Sequence, residues 1–291
     1  MIEGVVTVLK PPAMSSSDVV VDVRRIFGTR RVGHLGTLDP EAAGVLPVCV
    51  GRAVRLFDYL VDKQKTYLAE IVFGTATDTQ DAQGTVTETS NTEVTAEMLD
   101  AALSAFRGRI RQTPPDYSAL KYNGKKLYDL ARAGKEIPDK SREVEIFALE
   151  RTETTGRNRF LLNVTCSRGT YIRTLCSDIG KALGVPAHMA FLLRTASGPF
   201  TLAHAVTIAE LEERKAQGTL ADAVTSCEDA LAFLPRYELA ADRRRPAMNG
   251  LPTRTNAADG TYRFYCEGFL GIGTVLAHNA VLKVHLYGED V

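Results

Sequence analysis

The sequence predicts an α+β fold built on a mixed sheet, with a small β-rich unit at the C-terminus. Strand-like and helix-like segments are interspersed along the chain, without the regular alternation of a doubly wound protein. Every second residue from 67 to 73 is Tyr, Ala, Ile or Phe, which indicates a strand, whereas residues 172–183 carry apolar side chains at helical spacing. After Pro235 short β-like runs with glycine turns dominate the sequence.

The N-terminal segments alternate between strand and helix. Residues 5–9 form an apolar run that predicts a strand, and two prolines follow it directly. Ser17 is the expected N-cap of the next helix, and Gly28 is its expected C-terminal stop. Residues 44–50 predict a buried strand, and the apolar residues within 54–61 predict a second helix.

The central and C-terminal segments continue this mixture. Thr95 is the expected cap of a helix that Gly108 ends. A segment rich in Pro, Tyr and Lys follows over 112–142, with a short helix near 127–131. The remaining predicted elements are strands over 144–149 and 160–166 and helices over 172–183, 207–215 and 221–232.

Length and texture together predict two domains. A chain of 291 residues suits one large domain with a small appendage. We place the large domain at residues 1–234 and the small C-terminal domain at 235–291, where the sequence texture changes.

Composition predicts a cytoplasmic protein without a metal centre. The first apolar run is too short for a signal peptide, and no stretch approaches the roughly 20 apolar residues of a membrane span. Five cysteines without a Cys-x-x-Cys pair suit a reducing cytosol, where we expect them to be buried thiols. The five histidines show no metal-ligand spacing, so we expect no metal site.

The charges are balanced overall and segregated locally. A formal net charge of zero argues weakly against nucleic acid as a partner. Residues 75–101 hold six acidic and no basic side chains, whereas residues 107–142 hold ten basic and four acidic ones. A basic run of this kind is either a solvated face or a phosphate-binding surface, and charge alone leaves both open.

Several common catalytic motifs are absent. The chain has no Walker-A loop and no Gly-x-Ser-x-Gly nucleophile elbow. The pair Gly271 and Gly273 lacks the third glycine of a dinucleotide site. Phosphoryl transfer, nicotinamide chemistry and hydrolase-fold ester cleavage are therefore not favoured.

Three segments carry side chains suited to catalysis. Residues 33–40 place two glycines, a histidine and Asp39-Pro40 on a loop that runs into a buried strand. Such a loop is either a simple Asp-Pro turn or a loop that positions a catalytic carboxylate. In residues 166–173 a strand turns into a helix, with Arg173 in its first turn and off the buried face that Ile172 and Leu175 define. A cation there opposes the helix dipole and would favour a carboxylate partner. The third segment is residues 65–81, with Tyr67 at a strand start.

Together these blocks resemble the TruB family of bacterial tRNA pseudouridine-55 synthases. The matching motifs are Gly-His-x-Gly-Thr-Leu-Asp-Pro, Lys-Thr-Tyr, Thr-Asp-Thr-x-Asp and Cys-Ser-x-Gly-Thr-Tyr-Ile-Arg, in this order. The likeness covers about residues 4–205, and the tail resembles a small RNA-binding PUA-like domain loosely. It implies a pseudouridine-synthase-like catalytic domain with a largely antiparallel mixed sheet flanked by helices.

The resemblance also assigns roles to site residues. It implies that Asp39 is the catalytic carboxylate, that Tyr67 stacks on the target base and handles the proton lost from C5, and that Arg173 pairs with Asp39 and keeps it ionised. The loop residue His34 would stabilise the flipped-out nucleotide. The positions that match residues lining or bracing the site are Lys10, Pro11, Asp78 and Tyr171.

The implied reaction is isomerisation of uridine 55 in the T-loop of tRNA, without a cofactor. The enzyme would flip the uridine out of its stack, and residues 107–142 would clamp the T-arm backbone. The family suggests a monomer without an obligatory protein partner and without a membrane. Alternatives are a guide-RNA-dependent relative of the dyskerin kind, a non-catalytic RNA chaperone and a metabolite enzyme with a coincidental loop.

Overall fold

The computed structural model describes residues 2–61, 63–115, 121–122, 125–126 and 141–287. Within these residues, every helix is too short or too polar to span a lipid bilayer. Most of the basic segment 107–142 and the predicted helix near 127–131 lie outside the described residues.

One large sheet organises the N-terminal part of the chain. The strands up to residue 225 are β1 (Gly4–Lys10), β2 (Val32–His34), β3 (Ala43–Val50), β4 (Lys65–Phe73), β5 (Thr75–Thr77), β6 (Val86–Thr89), β7 (Gly108–Gln112), β8 (Lys121–Tyr122), β9 (Lys125–Lys126), β10 (Arg142–Gly156), β11 (Arg159–Cys166), β12 (Ala187–Ser197), β13 (Phe200–Thr201) and β14 (Val224–Thr225). Ten of them form a sheet in the order β14-β1-β3-β12-β4-β11-β10-β7, with β2 beside β3 and β13 beside β12. Its described strand pairs are antiparallel except β3 with β12, which confirms the mixed, largely antiparallel sheet.

Helices flank this sheet. They are α1 (Ser16–Phe27), α2 (Phe57–Leu60), α3 (Ala96–Leu103), α4 (Ile172–Leu183), α5 (Ile208–Gln217) and α6 (Cys227–Ala230). A further helix, α7 (Arg244–Met248), packs in the C-terminal part of the chain. The first begins at Ser15, whose side chain caps the Asp18 amide while the Asp18 carboxylate bonds back, and Gly28 ends it in the left-handed region. The cap is therefore Ser15 and not the predicted Ser17, because only Ser15 has a carboxylate three residues later.

The alternation of side chains along β1 and β3 separates two hydrophobic cores. Val6 and Val48 pack with α1, α3, α4 and α5 in the first core. Val5 and Cys49 point the other way and pack in a second core with C-terminal residues such as Ile272. Both faces of this half of the sheet are thus covered, which explains why these strands are almost continuously apolar.

The C-terminal part forms a second, five-stranded sheet. Its strands are β15 (Arg236–Glu238), β16 (Thr253–Arg254), β17 (Gly260–Tyr265), β18 (Phe269–Leu276) and β19 (Asn279–His285), in the order β15-β17-β18-β19-β16. The predicted small β-rich unit is confirmed by this sheet. Polar contacts join it to the turn after β3: Arg52 donates to the Leu286 carbonyl at 3.0 Å and Arg55 to the His285 carbonyl at 2.9 Å.

Several predicted elements differ from the structure. The strand β12 was not predicted, although it lies at the centre of the large sheet. The helix capped by Thr95 ends at Leu103, and Gly108 begins β7 instead of closing the helix. The helix predicted over 221–232 is reduced to Cys227–Ala230, because a short strand that pairs with β1 precedes it. Tertiary pairing overrides helical periodicity there.

Candidate active site

The loop between β2 and β3 is held in place from several directions. Leu35 and Leu38 are 2% and 3% exposed and anchor it in the two cores. On one side, the Ser16 hydroxyl donates to the Leu38 carbonyl at 3.0 Å and accepts from the Leu38 amide at 2.9 Å. Asp39 is the next residue, so these two hydrogen bonds fix the backbone directly before the carboxylate.

Asp39 and Arg173 meet at the edge of a cleft. Arg173 Nη2 lies 3.1 Å from Asp39 Oδ2, and the side chain of Asp39 remains 43% exposed. The carboxylate is therefore paired and still accessible to a molecule in the cleft. Sequence reasoning predicted this ion pair, and the fold brings the two residues together from distant parts of the chain.

Arg173 is buried, which corrects its expected place off the buried face of its helix. The residue is 7% exposed. Its Nη1 donates to the Thr79 carbonyl at 3.2 Å and lies 3.3 Å from Asp81 Oδ2. Loops from two other parts of the chain cover this turn of α4, so helical periodicity alone could not reveal the burial. A guanidinium shared between two carboxylates is rigidly oriented.

Asp81 is a site residue that sequence reasoning did not select. It lies in the Thr-Asp-Thr-x-Asp segment, from which Asp78 was chosen. In the structure Asp78 Oδ1 accepts the Thr85 amide at 2.8 Å, so this carboxylate closes a local turn. The two carboxylates are three residues apart, and only the tertiary contact with Arg173 distinguishes them.

Tyr67 forms a buried wall of the cleft. It is 9% exposed and lies on β4 in the row of side chains that faces α4. Burial raises the pKa of its hydroxyl, and Arg194 opposes that rise. The neutral phenol is thus the stable form, with its ring available as an apolar face.

His34 and Tyr171 also line the cleft. Burial lowers the pKa of His34, with a further contribution from the charge of Arg194, so the imidazole is held neutral. Tyr171 is fixed through its backbone, because its amide donates to Gln112 Oε1 at 3.0 Å and its carbonyl accepts Gln112 Nε2 at 3.2 Å. The backbone of Tyr171 is therefore fixed where it borders the cleft.

Lys10, Pro11 and Asp78 are not among the residues that line the cleft. Lys10 is fully buried behind it and donates to the carbonyls of Pro11, Met14 and Pro40 at 2.8, 2.6 and 2.8 Å. Burial lowers the pKa of Lys10 to about 8, and Glu41 and Asp39 act in the opposite direction. The bond to Pro40 places Lys10 as a brace of the loop that carries Asp39.

The cleft can hold a nucleobase. Its volume is about 390 Å³, and it combines apolar walls from Leu38, Val61 and Leu192 with cationic side chains from Arg142 and Arg168. Among the described residues, no cluster of His, Cys, Asp or Glu could hold a metal ion.

Two family models match the chain. The model for "TruB family pseudouridylate synthase (N terminal domain)" matches residues 24–172, and the model for "tRNA pseudouridylate synthase B C-terminal domain" matches residues 173–232.

Curated relatives resemble the chain over most of its length. "tRNA pseudouridine synthase B" of Bacillus pumilus is 48% identical over 245 residues, which are 82% of this chain and 79% of the relative. The protein of the same name from Caldanaerobacter subterraneus is 48% identical over 277 residues, or 94% and 95% of the two chains.

Solved structures share the fold. A crystal structure of a Cbf5-Nop10-Gar1 complex matches with a TM-score of 0.72 and 25% identity, over 94% of this chain and 78% of that one. A structure of an H/ACA RNP with a substrate RNA matches with a TM-score of 0.75 and 23% identity, over 98% and 85%. These likenesses confirm the predicted fold class.

Proposed function

The chain belongs to the TruB family of tRNA pseudouridine synthases, and we propose that it isomerises uridine 55 in the T-loop of tRNA with Asp39 as the catalytic carboxylate. At the coarser level, it is a pseudouridine synthase that acts on tRNA. The observation that supports the finer proposal is the Asp39–Arg173 ion pair at the edge of a nucleobase-sized cleft walled by Tyr67.

The chemistry matches this arrangement. Pseudouridine formation breaks the bond between uracil N1 and ribose C1′, turns the detached base and forms a bond from C5 to C1′. C5 loses a proton, and N1 gains one. Atoms and electrons balance within the nucleotide, so the reaction needs no redox partner. A carboxylate oriented by an arginine supplies the charge and the position for this exchange. In the proposed mechanism Arg173 orients the Asp39 carboxylate at the edge of the cleft.

Tyr67 and His34 serve the bound nucleotide in this proposal. A uridine stacked in the T-loop is out of reach, so the enzyme flips it outward at a cost of a few kcal/mol. Stacking of the flipped base on an aromatic side chain of the enzyme returns about as much free energy. The buried ring of Tyr67 would provide the stacking face, and its hydroxyl would handle the C5 proton. The neutral His34 lies at the cleft beside the flipped nucleotide.

The domain roles follow from the same proposal. Residues 1–234 would form the catalytic domain, residues 235–291 a PUA-like domain, and the basic segment 107–142 a clamp on the T-arm backbone. The chain would act alone on free tRNA, in contrast to a guide-dependent enzyme that needs partner proteins.

Tritium release from C5-labelled, unmodified tRNA tests the proposal. We expect release by the wild-type chain alone, with pseudouridine mapped to position 55, and none by Asp39→Asn. Asp100→Asn is the matched control, because Asp100 is an exposed carboxylate that pairs with Arg151 at 2.8 Å away from the cleft. Tight RNA binding without release by the wild type would contradict the proposal and favour the guide-dependent or chaperone alternative.

A further inference from the structure

Arg194 is a buried charge that the proposed mechanism does not yet use. It is 1% exposed and is among the largest fully buried side chains of the described residues. It lies on β12, opposite Gly44 of β3 and Tyr67 of β4. The residue thus sits where the strand that follows the catalytic loop and the strand that carries the stacking tyrosine meet.

The guanidinium of Arg194 bonds to the catalytic loop on both sides of Asp39. Its Nη2 donates to the Gly36 carbonyl at 3.3 Å and its Nη1 to the Thr37 carbonyl at 3.2 Å. Its Nε donates to the Val45 carbonyl at 2.7 Å. Gly36 and Thr37 precede Asp39, and Val45 follows it, so a single planar group closes the base of the loop.

Among the described residues, no carboxylate forms an ion pair with Arg194. Arg194 donates to three backbone carbonyls, and its guanidinium also interacts with the Tyr67 side chain. A guanidinium buried without a counter-ion is costly, and the three carbonyl bonds only offset that cost. Because its three backbone bonds all go to residues around the loop of Asp39, the charge and the fork geometry serve that loop.

The neighbours of Arg194 are the groups that hold the base. Arg194 and Tyr67 are cross-strand partners, so their side chains project from the same face of the sheet. Burial raises the pKa of Tyr67 and lowers that of His34, and the charge of Arg194 lowers both. One cation therefore contacts the loop of Asp39 and acts on the two groups beside the nucleotide.

We propose that Arg194 is a positioning residue, whose guanidinium fork clasps the loop of Asp39 and sets the distance between that carboxylate and the base stacked on Tyr67. The inference rests on the proposed function, since it assigns Arg194 a task in that reaction. Lys10 and Ser16 brace the loop from the other side, but each bonds within the segment 38–40 and neither joins the two ends of the loop.

Arg194→Lys and Arg194→Met test the clasp. Lysine keeps the charge but is a single point donor that cannot reproduce a planar fork, and methionine keeps the length without the charge. We expect both variants to bind a T-arm RNA with wild-type affinity and to lose about 100-fold in the single-turnover rate of pseudouridine formation, as small misplacements of catalytic groups do. The matched control is Arg263→Lys, because Arg263 Nε donates to the Leu234 carbonyl at 3.0 Å in the C-terminal sheet.

The outcomes separate positioning from folding. A wild-type rate in Arg194→Lys would overturn the inference, since the fork would then be dispensable. A rate that falls only with the folded fraction, as expected for Arg263→Lys, would overturn it too. The wild-type enzyme and Asp39→Asn in the same assay report on the proposed function separately: if the wild type makes no pseudouridine, that function fails before Arg194 is tested.

The wild-type chain keeps the inference testable even if the variants do not fold. The Nε–H of Arg194 is buried and bonded, so nuclear magnetic resonance should show it exchanging with solvent far more slowly than an exposed arginine, and more slowly still with RNA bound. Rapid exchange in the bound state would overturn the clasp.

Discussion

Arg173 connects two carboxylates, so replacing it should disable the site without removing the RNA-binding surface. Arg173→Met keeps the length of the side chain and deletes the charge that lies 3.1 Å from Asp39 and 3.3 Å from Asp81. Asp81→Asn is the milder variant for comparison, because it keeps an oxygen acceptor for Arg173 and removes only the negative charge. Comparing the two variants separates the contribution of the Arg173–Asp39 ion pair from that of the Asp81 carboxylate that orients Arg173.

The geometry sets the expected size of each effect. At 3.1 Å, the attraction between Arg173 and Asp39 is about 1.3 kcal/mol in a dielectric like water and about 5 kcal/mol at an effective value near 20. Because the Asp39 side chain is 43% exposed, solvent screens this attraction to about 1–2 kcal/mol. Losing it should slow the reaction roughly tenfold. Lost orientation of Asp39 adds up to about 100-fold. For Asp81→Asn, exchanging a charge-assisted bond for a neutral one costs about 1 kcal/mol, or roughly fivefold.

The assay is single-turnover pseudouridine formation at saturating T-arm RNA, with the dissociation constant measured separately. We expect the rates to fall in the order wild type, Asp81→Asn, Arg173→Met, with similar affinities. Arg151→Met is the control, because Arg151 pairs with Asp100 on the surface at 2.8 Å. A wild-type rate in Arg173→Met, or a slower rate in Asp81→Asn than in Arg173→Met, would refute the reasoning.

Three further predictions follow from the cleft, the surface charge and the second core. Tyr67→Phe should bind RNA normally and turn over slowly, because it keeps the ring and loses the hydroxyl. If stopped-flow binding and turnover measurements showed that affinity and rate fall by the same factor, this prediction would be contradicted. The affinity for T-arm RNA should fall steeply with salt, by a logarithmic slope of about 0.9 per duplex phosphate contact, and a flat titration would argue against a basic clamp. Ile272→Ala should cost about 2–5 kcal/mol of stability and lower the single calorimetric transition of the whole chain, since the core of Ile272 includes Leu35 and Val5. A separate early transition of the C-terminal sheet would show that the two parts unfold independently.

Local pattern predicted most of the helices and strands that have clear signals. β4 and β11 were predicted from alternation, and α4 from apolar spacing followed by the left-handed Gly184. The strand β12 was missed because residues 187–197 include Phe191 on an open face and Arg194 in the core, which obscures a period of two. Its bulges against β4 shift the register as well, so no simple alternation survives in the sequence.

The sequence by itself determined the family, the fold class and the residue types of the site. Motif order identified Asp39, Tyr67 and Arg173 because a loop carboxylate, a strand-start tyrosine and a helix-start arginine carry recognisable neighbours. Only the tertiary structure decided which other side chains join them. Asp81 rather than Asp78 reaches Arg173, and Arg194 donates to the backbone of the loop that carries Asp39. These partners are 92 and 157 residues apart in the chain, and no local propensity encodes a contact made when distant strands pair in one register.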